Sequence, residues 1–368
     1  MSAASAPEKR SPLERRDDFM NRSLLQWQRI VGRVFVSATA MVLSISLLSC
    51  NKTAWSSADA GGQQPRAGNP QQSAGSSVAS APSPNESAPP AAQTGGFDGQ
   101  QAYDYTAKLV SFGPRPPDSD AIHHTQVYIR EQLKSFGCAV DEDDFHSSTP
   151  IGSVAMKNIV AEIPGERKDI ILLLTHYDTL KKDGFVGAVD GGSSSGLMLE
   201  MARVLCGQKS TDTIWIAFLD GEEAFQQWSD ADSIYGSREL AARMALSDDL
   251  SRIKAVLLAD MVGAVNVRIE KDSNSTARLV DLVWKTAAQL GYGDTFVQAS
   301  TPIEDDHLAF LHRNVPSVDV IDLLDYPRST TLPYWHTNND TMDKVSPRSL
   351  AIVGHVFIET VRELQAQK

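Results

Sequence analysis

From about residue 97 onward the chain alternates two patterns of apolar residues. Short, nearly unbroken apolar runs occupy residues 170–174, 213–219 and 255–259, and a more mixed run covers 317–324. Runs of this length, rich in β-branched and aliphatic residues, read as strands buried on both faces of a sheet. Between them lie segments with helical spacing. Residues 122–136 place Val127, Ile129, Leu133 and Phe136 on one side and stop at Gly137. Residues 103–112 stop at Gly113-Pro114-Arg115-Pro116-Pro117, and further helices are predicted over 197–205, after Arg238, over 276–290, after His307 and over 350–364. Residues 140–145 and 158–163 read as strands, with Pro164-Gly165 as a turn. Buried strands alternating with amphipathic helices predict one α/β domain over 97–368, with a mostly parallel twisted central sheet flanked by helices.

Upstream the pattern changes. Arg22, Arg29 and Arg33 precede an apolar run over 34–48 that ends as Leu47-Leu48-Ser49-Cys50. This run falls short of the roughly 20 apolar residues that span a bilayer. Basic residues, an apolar core and a small residue before a cut mark an export signal. Residues 1–50 are therefore read as an export segment, with Met20 as an alternative start and an uncleaved membrane anchor as the alternative to cleavage. A Cys directly after the small residue resembles a bacterial lipoprotein signal, which implies lipidation of Cys50. Residues 51–96 are dominated by Ser, Ala, Pro, Gly and Gln and cannot bury enough surface to offset chain entropy. They read as a flexible tether. The expected location is the cell envelope, on its periplasmic or cell-surface side, with the lipid as the only membrane contact.

The formal charge is -12, and residues 1–50 hold seven Lys/Arg against four Asp/Glu, which leaves the remainder near -15. That excess argues against nucleic acid and anionic membranes as partners and suits a substrate with a positive group. The chain is read as a monomer. Cys138 and Cys206 can pair in an oxidising compartment or stay as separate buried thiols, and their spacing leaves both open.

The chemistry collects where the buried runs end. The 213–219 run breaks at Asp220-Gly221 and delivers Glu222-Glu223 to the edge of the sheet where α/β proteins bind ligands. Two adjacent carboxylates repel each other, so a cation held by one, with the other free for proton transfer, accounts for the pair. A solvated turn before a helix is the plainer alternative. Residues 170–174 lead to His176 and Asp178, and 255–259 lead to Asp260. Asp190 sits in the glycine-rich stretch 187–196, either as a ligand or as a helix cap. Ile303-Glu304-Asp305-Asp306-His307 and Tyr334-Trp335-His336-Thr337 complete the polar words, while His123 and His124 read as surface residues.

The order His176-x-Asp178, Asp190, Glu222-Glu223, Asp260 and His336 resembles the zinc aminopeptidase fold. Longer words are similar to the glutaminyl-peptide cyclotransferases, over residue 103 to the C-terminal end. They are Asp220-Gly221-Glu222-Glu223-Ala224-Phe225 with Trp228-Ser229, Asp232-Ser233-Ile234-Tyr235-Gly236-Ser237-Arg238, Asp305-Asp306-His307 with Phe310-Leu311, and Trp335-His336-Thr337. The resemblance implies one zinc per chain, held by Asp190, Glu223 and His336 with a fourth position open. It makes Glu222 the acid/base, places Asp260 and Asp305 in an acidic network with it, and lines the substrate pocket with Trp228 and Trp335. The implied reaction closes the N-terminal Gln of a peptide to pyroglutamate and releases ammonia. Animal members carry a cysteine pair where this chain has Thr175 and Ser195, and a histidine where it has Asp319. Two rivals remain: a two-zinc aminopeptidase with His176 and Asp260 on a second metal bridged by Asp190, and a non-catalytic binding domain.

Overall fold

The computed structural model describes residues 87–325 and 330–367. The predicted export segment with Cys50, and tether residues 51–86, lie outside the described residues. In chain order the strands are β1 (Ala139–Thr149), β2 (Gly152–Ile163), β3 (Gly165–His176), β4 (Ser210–Leu219), β5 (Ile253–Asp260), β6 (Ile269–Asp272), β7 (Phe296–Thr301), β8 (Ser317–Ile321), β9 (Leu324–Asp325) and β10 (Thr330–Thr331). The helices are α1 (Gly99–Val110), α2 (Asp120–Ser135), α3 (Ser194–Leu205), α4 (Tyr235–Leu246), α5 (Ala277–Gln289), the single turn α6 (Leu308–Leu311) and α7 (Pro347–Ala366).

The central sheet has the order β1-β2-β4-β3-β5-β8. Its four strands β4, β3, β5 and β8 run parallel, while β2 joins β4 antiparallel and β1 closes the edge as a hairpin partner of β2. Strand side chains alternate between faces, so a run buried on both sides must feed two cores. Ile171, Leu173, Ile214, Ile216 and Phe218 pack with α1, α2, α3, α5 and α7 on one face. Ile170, Leu172, Leu174, Trp215 and Ala217 pack with α4 and α6 on the other. The mostly parallel sheet flanked by helices matches the expectation from the sequence.

Several elements differ from that expectation. The helix foreseen after His307 is only the turn α6, because Asn314 adopts a left-handed backbone (φ 62°) and swings the chain into β8. The fourth strand stops at Ile321, since Leu324–Asp325 pairs with Thr330–Thr331 in a separate hairpin. Strands β6 and β7, a short parallel pair, carry no apolar run that would announce them. Cys138 and Cys206 form a disulfide joining the ends of α2 and α3, which resolves the open alternative in favour of pairing. Ordered packing also begins just before residue 97: Thr94 is buried, and the carbonyls of Gly95 and Gly96 accept from Arg362 and Arg203.

Candidate active site

The strand register builds the site. His176 pairs with Leu219 across β3 and β4, Leu174 with Leu258 across β3 and β5, and Asp260 with Ile321 across β5 and β8. The residues just past these positions therefore gather at one edge. Asp178 fixes the glutamate turn, since its two oxygens accept the Glu222 and Glu223 backbone N–H groups at 3.1 and 3.4 Å. Gly221 permits the sharp turn: it has φ 70°, and a Cβ there would meet Met156 Sδ at 2.6 Å. Asp190 lies in an irregular helical turn, Ala188–Ser193, at the mouth of α3. Gly191, next to it, has φ 75° and lies so close to His176 that a Cβ would stand 2.9 Å from the imidazole Cε1.

Two residue groups with metal-ligand chemistry form among the described residues, and both use Asp190. In the first, His336 Nε2 lies 3.3 Å from Asp190 Oδ2 and 3.2 Å from Glu223 Oε2. Ligands about 2.0–2.1 Å from a tetrahedral zinc stand about 3.3 Å apart, so these separations fit such an ion. Asp190 Oδ2 is also buried without a hydrogen-bond donor, an oxygen left to be satisfied. In the second, His176 Nε2 lies 3.3 Å from Asp190 Oδ1 and 3.0 Å from Asp260 Oδ1. Here Asp260 Oδ1 already accepts the Met261 backbone N–H at 2.8 Å.

Charge and burial pull against each other throughout. Burial, reinforced by Asp190, pushes the Glu223 carboxyl up to about 7. Burial would lower His336, yet Asp190 and Glu223 hold it at about 10. Burial raises Glu222 well above the ordinary carboxylate range; His176 opposes this, while Asp305 and Glu223 add to it. Asp305 is raised in the same way by burial and by Asp260. A cluster of this kind favours an added positive charge.

Supporting residues that sequence reasoning missed hold Asp190 and its neighbours in place. Asp340 accepts the N–H groups of Val189 and Asp190 at 2.8 and 3.0 Å. Arg115, fully buried, donates to the carbonyls of Tyr177, Val186 and Gly187 and pins the loop before Asp190. Neither sits in a pattern that would single it out; the Arg115 stretch reads simply as a helix stop. The hydroxyls of Thr175 and Ser195 both donate to the His176 carbonyl. His336 itself has φ 53°, a strained backbone for a non-glycine residue. Trp335 stacks on its imidazole at 4.1 Å.

A cavity of about 270 Å³ opens over this edge, lined by Asp190, Glu222, Glu223, Asp260 and Asp305 below and by Trp228, Trp335 and His336 around it. All eight residues named from the sequence as site residues thus border one cavity. His176 stays beneath it, buried. His123 and His124 are exposed on α2, as read.

Acids and an imidazole gathered at the C-terminal edge of a parallel sheet, beneath an aromatic-walled cavity, define a metal-dependent α/β enzyme. Residues 158–361 match Peptidase family M28. The chain is 30% identical over 287 residues to a glutaminyl-peptide cyclotransferase of Boiga irregularis, covering 66% of this chain and 76% of that one. An Acidobacteriales bacterium glutaminyl cyclase superposes with a TM-score of 0.69 at 36% identity, over 79% of this chain and 100% of the other. A Zn-dependent exopeptidase from Parabacteroides distasonis gives 0.66 at 28% identity, over 72% and 98%. The chain belongs to peptidase family M28 and, within it, to the glutaminyl-peptide cyclotransferases.

Proposed function

We propose that this cavity converts the N-terminal Gln of peptides and proteins to pyroglutamate with loss of ammonia. The observation that carries this reading is that Trp228 and Trp335 line the same cavity as Glu222 and the Asp190–Glu223–His336 group. Bound by those three residues, zinc supplies Lewis acidity to the γ-carboxamide carbonyl of the substrate. Trp228 and Trp335 hold the Gln side chain in a dry slot and keep bulk water from competing. Glu222 accepts a proton from the α-amine, whose nitrogen bonds to the side-chain amide carbonyl carbon, Cδ, and closes the five-membered lactam as the bond from Cδ to the amide nitrogen breaks. Glu222 then returns a proton to the departing amide nitrogen, which leaves as ammonia. Asp260 and Asp305 line the same cavity, and the charge of Asp305 helps to keep the proton on Glu222. Because the nucleophile belongs to the substrate, orientation alone is worth up to roughly 7–11 kcal/mol of the barrier.

The peptidase alternative needs a second metal on His176 and Asp260. Asp260 Oδ1 is already engaged by Met261 N–H and by His176, whereas Asp190 Oδ2 has no donor. This difference favours one zinc per chain, in the first group. Incubation with a Gln-initiated peptide tests the reading: ammonia and a matching mass loss are expected, and an unaltered peptide would contradict it.

We further infer that residues 1–50 direct export, that Cys50 carries a lipid and that the stretch from 51 up to the packed residues 94–96 tethers the catalytic domain to the cell envelope on its periplasmic or cell-surface side. The support is Leu47-Leu48-Ser49-Cys50 and the polar stretch behind it. Cys50→Ala should release the protein from membranes or block processing; unchanged membrane fractionation and processing would refute the anchor. The catalytic domain is expected to act as a monomer, which light scattering after size-exclusion chromatography checks.

A further inference from the structure

Six carboxylates line the cavity, and one of them has no task in the mechanism. Asp190, Glu222, Glu223, Asp260 and Asp305 are buried, whereas Glu304 is exposed. Glu304 Oε2 accepts the Trp228 indole N–H at 3.2 Å, its single hydrogen bond among the described residues. The bond joins the loop bearing Trp228 to the segment before Asp305 across the cavity mouth. The Trp228 loop is fixed from its base as well. Asp232 accepts the backbone N–H groups of Phe225, Gln226 and Gln227 at 2.9, 2.8 and 3.0 Å. Glu304 is therefore a positioned negative charge at the mouth rather than a freely swinging one. No Lys or Arg lines the cavity among the described residues.

The substrate must leave through that mouth. With the Gln side chain directed to Asp190, Glu223 and His336 and its amine to Glu222, the peptide runs outward. Its second residue follows one Cα step later, about 3.8 Å on. Resting on the cyclase reading of the site, we propose that Glu304 is a specificity-determining residue that favours peptides whose second residue is cationic. The attraction is that of an exposed ion pair, so it is modest and screened by salt. An acidic second residue meets the same charge as repulsion, which widens the difference.

Steady-state kinetics of the full-length chain on matched Gln-Lys, Gln-Ala and Gln-Glu peptides test this. The order Lys over Ala over Glu is expected, with Lys ahead of Glu by roughly three- to tenfold, the scale of exposed ion pairs. The difference should sit in KM and shrink at high salt. Glu304→Gln keeps an acceptor for the Trp228 indole but loses the charge, and it should flatten the order; Glu304→Lys should invert it. Equal use of the three peptides by the wild-type chain, or an order unchanged in Glu304→Gln, would overturn the proposal. Absence of ammonia from all three peptides would instead overturn the cyclase reading and the proposal with it.

Discussion

Asp190 stands between two clusters built from the same residue types. Toward the cavity, it and Glu223 face His336, whose side chain is 29% exposed and stacked under Trp335. Toward the core, it faces His176, 1% exposed, which in turn meets Asp260. The first cluster keeps an undonated oxygen on Asp190; the second spends Asp260 Oδ1 on a backbone N–H and an imidazole. Residue type alone does not tell a metal-holding group from a hydrogen-bonded one. What the oxygens already bind, and how far the histidine reaches toward solvent, are the differences on which the one-zinc reading rests.

Four substitutions probe that difference. Glu223→Gln removes a charged ligand from the outer cluster, so zinc affinity should fall by more than the 10–100-fold typical of outer partners, and activity with it. Zinc retained at wild-type affinity would place the metal elsewhere. Glu222→Gln should leave zinc bound while kcat drops by roughly 10²–10⁴. Equal zinc loss in both variants, read by elemental analysis, would erase the distinction between the adjacent glutamates. His176→Asn should weaken zinc binding by about 10–100-fold through lost support of Asp190, without changing the number of ions bound. Loss of one ion of two would make the inner cluster a metal site. Asp340→Asn keeps an acceptor for one of the Val189 and Asp190 amides and turns a donor on the other, and its effect on zinc affinity should be the smallest, under about tenfold.

Much of this was legible in the sequence, for identifiable reasons. Residues 170–174, 213–219 and 255–259 must fill two cores at once, so their composition announces buried parallel strands. The turn after each strand then carries its chemistry at a fixed place, which is why His176, Glu222-Glu223 and Asp260 could be read as sharing one edge. The elements missed are those without such a constraint. Strands β6 and β7 pair through backbone groups that any sequence supplies. Asp340 and Arg115 act on backbone atoms remote in sequence, and no spacing rule reaches them. The Cys138–Cys206 pair depends on where α2 and α3 end in space rather than on the number of residues between them.

Zinc titration into the metal-free chain, with product analysis at each step, tests the central claim most directly. Activity on a Gln-initiated peptide should saturate at about one zinc per chain, with ammonia as the released product and no free amino acid from Leu- or Ala-initiated peptides. Saturation only at two tightly bound zincs, accompanied by release of free leucine, would contradict the assignment of the outer cluster as the sole metal site and of the cavity as a cyclase.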